Sequence, residues 1–403
     1  MMQPHHHIIT DTILVVFILT WIVYSIAVVI YLNFLTRKYL TPIDRTPIVN
    51  GRELKGFVEL QQQFSHHDSI NVLVLSGGGV RGSVPLHVLS YLEEKTGKKT
   101  GELFPFIAGS STGAISAIGL CVPDENGGYK FSAKDILKEY EKNSILMFSS
   151  PWYHQFLSFF GLFAPRFLSD NKLKVLEGYV NDMPISELNG GVLIPVYNVD
   201  TNNLQLVKNW GAPDGRFLNA NYLAKDLVNG ATSPPMLFPA TAFKLNGQDH
   251  LFIDPAILLN NPILHVFIHM NILFPDKHIN MVFIGNGGLG EAHYDYRHMF
   301  SFGLYGIYQY LFSAPALSSK LYIDLIKEHI LDTQGTDSKT SFFWINSLYP
   351  YGEISPTDTS KRNFAKIRKF SNQVLSENKD VLDNLALILT NQENTEIKDK
   401  IIV

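Results

Sequence analysis

Apolar positions along this chain fall into one long run near the start and a succession of short runs after residue 70. The long run, residues 12–35, is broken only by Thr20, Ser25 and Asn33. As a helix it is long enough to cross a hydrocarbon core of about 30 Å. Its start is not basic and no small-residue cleavage pattern follows, so it is expected to stay as an anchor rather than act as a signal peptide. Trp21 and Tyr24 lie mid-span, and Tyr31 and Tyr39 flank the far end as an interfacial belt would.

The short runs predict alternating strands and helices. Residues 70–75, INVLVL, are continuously apolar, as in a strand buried on both faces. A glycine loop, 76–82, leads into residues 84–95, whose apolar positions recur at helical spacing. Residues 104–108 predict a strand, 109–113 a tight turn and 114–120 a helix of small residues. A helix is expected over 132–143, with Ser132 as its N-cap and Asp135 in its first turn. Strands are expected at 191–196, 204–207, 250–253 and 280–284, and helices at 220–229 and 360–390. The alternation predicts a three-layer α/β domain, a largely parallel sheet flanked by helices. The organisation expected is a short non-cytoplasmic N-terminus (1–11), a transmembrane helix (12–35) and a juxtamembrane linker with a little structure (36–69). A core (70–265) and a mostly helical C-terminal extension (266–403) complete the domain.

Charge adds orientation. Arg37, Lys38, Arg45, Arg52 and Lys55 follow the apolar run and no Lys or Arg precedes it, so the positive-inside rule puts the bulk of the chain on the cytoplasmic side. A net charge of −4 argues against a nucleic-acid partner. The single cysteine, Cys121, sits in an apolar run and reads as a buried thiol. No Cys/His cluster has zinc-ligand spacing. His5, His6 and His7 read as a polar terminus.

Candidate chemistry lies in the turns. Gly109-Ser110-Ser111-Thr112-Gly113 fits the G-x-S-x-G elbow, between a strand and a small-residue helix as the mechanism requires. A serine on so sharp a turn has strained backbone angles, and Gly109 and Gly113 avoid the clashes that neighbouring side chains would make. Gly77, Gly78 and Gly79, with Arg81 and Gly82, form a loop whose N–H groups can converge on an oxyanion. The same string satisfies a dinucleotide fingerprint, as does GNGGLG at 285–290. The first lacks an acidic residue ending the next strand, and the second lacks a clear helix after it. Arg81 has three readings: a surface salt bridge, an ordering role in the loop, or contact with a lipid phosphate. None of His154, His250, His265, His269, His278, His293, His298 and His329 sits in a glycine-rich loop after a strong strand. Asp254 ends the strand HLFI, where a desolvated carboxylate gains basicity, although Asp-Pro is also a common turn.

The order of strand, GGGxRG, strand, GxSxG, helix, then Asp254 ahead of Asn260-Asn261-Pro262 resembles the patatin-like phospholipases. The resemblance covers residues 70–265 and includes GATSPPMLFPA at 230–240. It is similar to the bacterial branch that includes phospholipases of antiphage systems. It implies a Ser111–Asp254 dyad without histidine, an oxyanion hole at Gly77–Gly79, and cleavage of acyl esters in phospholipid, lysophospholipid or acylglycerol through an acyl-enzyme. It implies no metal or organic cofactor, a bacterial inner membrane as the location, and room for a small-molecule activator. The oligomeric state stays open. Two departures stand out: Pro255 where the family has glycine, which removes a backbone donor beside the base, and Ala114 after the elbow. If the missing donor orients the carboxylate, the chain would instead be a non-catalytic or ligand-activated effector binding lipid or nucleotide on the same fold. Residues 145–168, aromatic and uncharged until Arg166, read either as packed core or as a lid or membrane-docking surface.

Overall fold

The computed structural model describes residues 4–211, 221–289, 339–349 and 353–390, with helical positions at 321, 324, 325 and 328. Helix α1, Pro4–Leu40, contains the expected span. Its stretch Ile13–Leu40 carries an apolar window of mean hydropathy 2.9, of which only 6% is buried by the rest of the chain.

The strands are β1 Ile43–Asp44, β2 Ser69–Leu75, β3 Phe106–Gly109, β4 Gly191–Asn198, β5 Asn203–Lys208, β6 Thr241–Leu245, β7 Gln248–Ile253, β8 His278–Ile284, β9 Gly288–Leu289, β10 Thr340–Ile345 and β11 Leu348–Tyr349. The main sheet runs β1-β6-β7-β4-β3-β2-β8-β10, with β5 also paired to β4; β9 and β11 form a separate pair. From β4 through β10 every pairing is parallel. The flank is antiparallel where β4 meets β5 and β7, and where β6 turns into β7. That turn is Asn246-Gly247, both with positive φ, as a two-residue hairpin requires.

Strand β2 explains its own composition. Leu73 and Leu75 belong to one apolar cluster, while Ile70, Val72 and Val74 belong to another. Side chains alternate across a strand, so a strand covered on both faces must be apolar throughout. The larger cluster takes in α2 (Ser83–Thr96), α3 (Thr112–Leu120), α4 (Ala133–Met147), α6 (Ser169–Val180), α7 (Ala224–Ala231), α9 (Lys361–Glu377) and α10 (Lys379–Thr390). The smaller takes in the helix Phe57–Gln63 and α8, Ile263–Leu273. Between α4 and α6 lies a short helix, α5, Trp152–Leu157. Ser132 caps α4 reciprocally: its Oγ accepts from Asp135 N at 3.1 Å, and Asp135 Oδ2 accepts from Ser132 N at 3.0 Å.

The observed elements refine the expected organisation. Residues 36–69 hold more than a little structure: α1 continues to Leu40, β1 joins the sheet edge and Phe57–Gln63 packs on the sheet. Beyond residue 265, β8 and β10 extend the sheet, so the extension completes the domain, and helices outweigh strands among its described residues. The apolar pattern predicts neither β6 nor β10; one holds Thr and Lys among its apolar positions and the other opens on Thr340-Ser341. The helix expected over 220–229 is Ala224–Ala231, residue 220 lying outside the described residues together with Gly290, His293, His298 and His329.

Candidate active site

β3 delivers the elbow. Ser111 has φ 50° and ψ −124°, a backbone conformation rare outside glycine, and stands at the N-terminus of α3. A Cβ on Gly109 would lie 2.1 Å from Gly113 O, and one on Gly113 would lie 2.6 Å from Leu75 O. No side chain fits at either position, which is why the turn needs both glycines.

β7 ends at Ile253 and brings Asp254 to the elbow. Ser111 Oγ donates to Asp254 Oδ2 at 2.6 Å, and both residues are buried. Asp254 Oδ1 accepts from the N–H of Ala256 at 2.8 Å. The orienting donor is thus residue 256, so Pro255 removes nothing the carboxylate uses. Burial pushes the Asp254 carboxyl up from 3.8 to about 7, against the opposing pull of the Ser111 hydroxyl, the Ala256 amide and the Lys172 charge.

Lys172 was not anticipated. Its Nζ, buried in α6, donates to Asn229 O (3.1 Å), Thr232 O (2.8 Å) and Ser233 Oγ (2.9 Å). It also lies 4.2 Å from the centre of the Phe238 ring. Ser233 O in turn accepts the Asp254 N–H at 3.0 Å. Burial pulls the Lys172 ammonium down. Three acceptors and a ring face nonetheless match three N–H donors and a charge, the cationic form. The one signal in the sequence is a lysine at a position where α6 turns toward the core.

The glycine loop approaches the nucleophile from β2. A Cβ on Gly77 would lie 2.5 Å from Ser111 Cβ, so only glycine permits this approach. The Gly77 N–H makes a long contact, 3.4 Å to Asn260 O, and is poorly satisfied. Gly78 N–H donates to Thr112 Oγ1 at 3.1 Å, and Gly79, with φ +59°, has no acceptor for its N–H among the described residues. Tyr140 Oη donates to Gly79 O at 2.7 Å. Arg81 Nε donates to Gly78 O at 3.1 Å, and its guanidinium bonds to the Tyr349 hydroxyl. Of the three readings of Arg81, this geometry gives it the ordering role. Gly82 closes the loop, a Cβ there falling 3.0 Å from Thr112 Oγ1.

Residues distant in sequence brace this loop. Asn286 Nδ2 donates to Gly77 O, and Pro356 O accepts the Val80 N–H at 2.9 Å. Ser110 Oγ donates to Leu259 O at 2.8 Å, and Asn261 Oδ1 accepts from Ile263 N, the first residue of α8, at 3.0 Å. The two glycine strings therefore pack on each other: a Cβ on Gly78 would fall 2.0 Å from Asn286 Nδ2. A cradle for a dinucleotide at either string would need that space. The described histidines stand apart from Ser111. His154 bonds Tyr31 and Pro165, His250 lies among Tyr222, Phe243 and Phe252, and His278 bonds Ser341. His265 and His269, on α8, are held toward the neutral form by burial.

Residues 73–267 match the family model of patatin-like phospholipases. The chain is 28% identical over 224 residues to Patatin-like protein 3 of Arabidopsis thaliana, covering 50% of this chain and 51% of that protein. It is 26% identical over 226 residues to Patatin-like protein 2 of Oryza sativa subsp. indica, covering 52% and 55%. It is 29% identical over 247 residues to a cGAMP-activated phospholipase of Vibrio cholerae, covering 56% and 66%. The chain thus spans about half the length of the plant relatives it matches.

Proposed function

We propose that this chain, whose residues 73–267 match the family model of patatin-like phospholipases, is a lipid acyl hydrolase that works through a Ser111–Asp254 dyad and is held to a membrane by α1. The observation that carries this reading is the 2.6 Å hydrogen bond from Ser111 Oγ to Asp254 Oδ2. Ser111 Oγ attacks the ester carbonyl while its proton passes to Asp254 Oδ2. The carbonyl electrons collect on an oxyanion facing the Gly77–Gly79 amides, of which Gly77 is poorly satisfied and Gly79 lacks an acceptor among the described residues. As the oxyanion collapses, the leaving alcohol takes the proton from Asp254 and the acyl group stays on Ser111. Water, deprotonated by Asp254, then releases the fatty acid. Arg81, Asn286 and Tyr140 hold the loop in register and touch no reacting atom.

The substrate class is phospholipid, lysophospholipid or acylglycerol, reached within the bilayer plane. The basic residues after the span favour a domain on the cytoplasmic side, in the inner membrane of a bacterium. Two of them tie the anchor end to the domain: Lys38 pairs with Asp170 at 2.6 Å and Arg45 with Asp226 at 2.8 Å. A second reading, activation by a small molecule, draws on the likeness to the cGAMP-activated relative.

The test is fatty-acid release from mixed phospholipid vesicles by the full chain beside Ser111→Ala and Asp254→Ala. Release that both substitutions abolish supports the dyad. Release that survives Ser111→Ala sinks it. A parent silent until cGAMP is added supports the second reading.

A further inference from the structure

The segment between α4 and α6 was left between two readings by its sequence. Its exposure favours a surface: Trp152 is 81% and Phe160 73% exposed, and Phe156, Phe159, Leu162 and Phe163 are each about half exposed. Phe159 and Phe160 both have positive φ, which bulky side chains rarely adopt, and so the turn holds them outward. No Asp, Glu, Lys or Arg occurs between Lys142 and Arg166.

The backbone N–H groups of this turn find their acceptors within the segment itself. The N–H of Ser158 goes to His154 O, that of Phe159 to Phe156 O, and that of Phe160 to Gln155 O. Those of Gly161 and Phe163 go to Ser158 O, and that of Leu162 to Phe159 O. Six successive N–H groups thus close inside a loop, which is a requirement at hydrocarbon depth and not in an aqueous turn. The polar side chains close as well: Gln155 Nε2 and Ser150 Oγ both donate to Arg166 O, and Ser158 Oγ to Gln155 O. His154 Nε2 donates to Pro165 O, which only accepts, at 2.8 Å, and its Nδ1 lies 2.8 Å from Tyr31 Oη, so both ring nitrogens have partners.

The segment is also joined to the anchor. Tyr24 Oη donates to Phe156 O at 2.9 Å, and the two rings meet edge to face with centroids 5.0 Å apart. Tyr24 and Tyr31 are two helical turns apart, so α5 runs beside about 10 Å of α1. The apolar face of the segment is therefore continuous with the exposed apolar face of α1.

We propose that residues 150–163 are an aromatic wedge inserted into the lipid bilayer, in the leaflet nearest the domain and alongside the anchor. The inference rests on α1 being a membrane anchor. It deepens the proposed function by giving lipid a route. The wedge leaves the bilayer at Arg166 and Phe167, whose N–H groups bond Met236 O and Leu237 O at 2.8 Å each. Those residues follow the turn whose Ser233 holds Asp254.

The test uses the full chain with buried Cys121→Ala and one added cysteine at a time, carrying an environment-sensitive fluorophore. Phe160→Cys reports the wedge, Phe17→Cys the anchor and Lys134→Cys the far surface. Each is reconstituted in phosphatidylcholine–phosphatidylglycerol vesicles containing lipids with a nitroxide on the acyl chain. Insertion is expected to quench emission at residues 17 and 160 at least twofold and to leave residue 134 unchanged. Quenching at 17 without quenching at 160 overturns the wedge and leaves the anchor standing. Quenching at neither overturns both. Emission at 160 that responds to dilution with unlabelled protein, but not to nitroxide lipid, assigns the face to a second copy and overturns the proposal.

Discussion

Asp254 acts as a base only when ionised, and its burial pushes its carboxyl up to about 7. Activity should therefore fall as pH drops through neutrality. About 90% of the carboxyl is ionised at pH 8, about 10% at pH 6 and about 1% at pH 5, taking one proton per site. The perturbation that tests the cause is Lys172→Met. Lys172 bonds Ser233 and two carbonyls rather than Asp254 itself, so its charge acts at second hand. A nearby opposite charge lowers a carboxyl by about 1–3 pH units, and an indirect partner belongs at the low end. Losing it should move the acidic limb about one unit toward alkaline pH. The loss in kcat/KM is then about tenfold at pH 6 and small at pH 9. Lys172→Arg, which keeps a charge there, should hold the limb in place. The assay is fatty-acid release across pH 5 to 9. A parent limb at pH 5 or below would refute the burial argument. A Lys172→Met limb that stays put, with activity lowered equally at every pH, would refute the electrostatic role and leave a structural one.

Two further outcomes follow from the same contacts. The folded Asp254 binds its proton more tightly than the unfolded chain does, so the native state loses stability as pH rises from about 4 to about 7, by about 4 kcal/mol over the window. Asp254→Asn should abolish lipid hydrolysis while gaining thermal stability at pH 8 and much less at pH 5; an equal gain at both would contradict the linkage. Tyr349→Phe removes the hydroxyl that bonds the Arg81 guanidinium behind the glycine loop. It should lower kcat about tenfold, equivalent to about 1.4 kcal/mol, with KM little changed, and a rise in KM alone would argue against a role in ordering the loop.

The local signals in this chain carried far. The two glycines around Ser111 are required because backbone oxygen lies within 2.6 Å of where each Cβ would sit, a constraint that leaves its mark at single positions. The apolar run of β2 and the Ser132–Asp135 cap are likewise written in adjacent residues, since period and capping are properties of a few consecutive positions. The Pro255 departure looked damaging in sequence and is harmless in three dimensions, because the donor to Asp254 is the next amide along. What the sequence could not disclose are pairings across many residues: Lys172 behind Asp254, Asn286 and Pro356 behind the glycine loop, Tyr349 on Arg81, and Tyr24 and Tyr31 on the aromatic segment. By their neighbours alone, Lys172, Asn286, Tyr349 and Pro356 are ordinary surface or turn residues, and Tyr24 and Tyr31 are only part of the apolar run. Their roles come from the sheet order, which sets β8 against β2 and β10 against β8, and from burial, which turns a single lysine or asparagine into a fixed electrostatic or hydrogen-bonding partner.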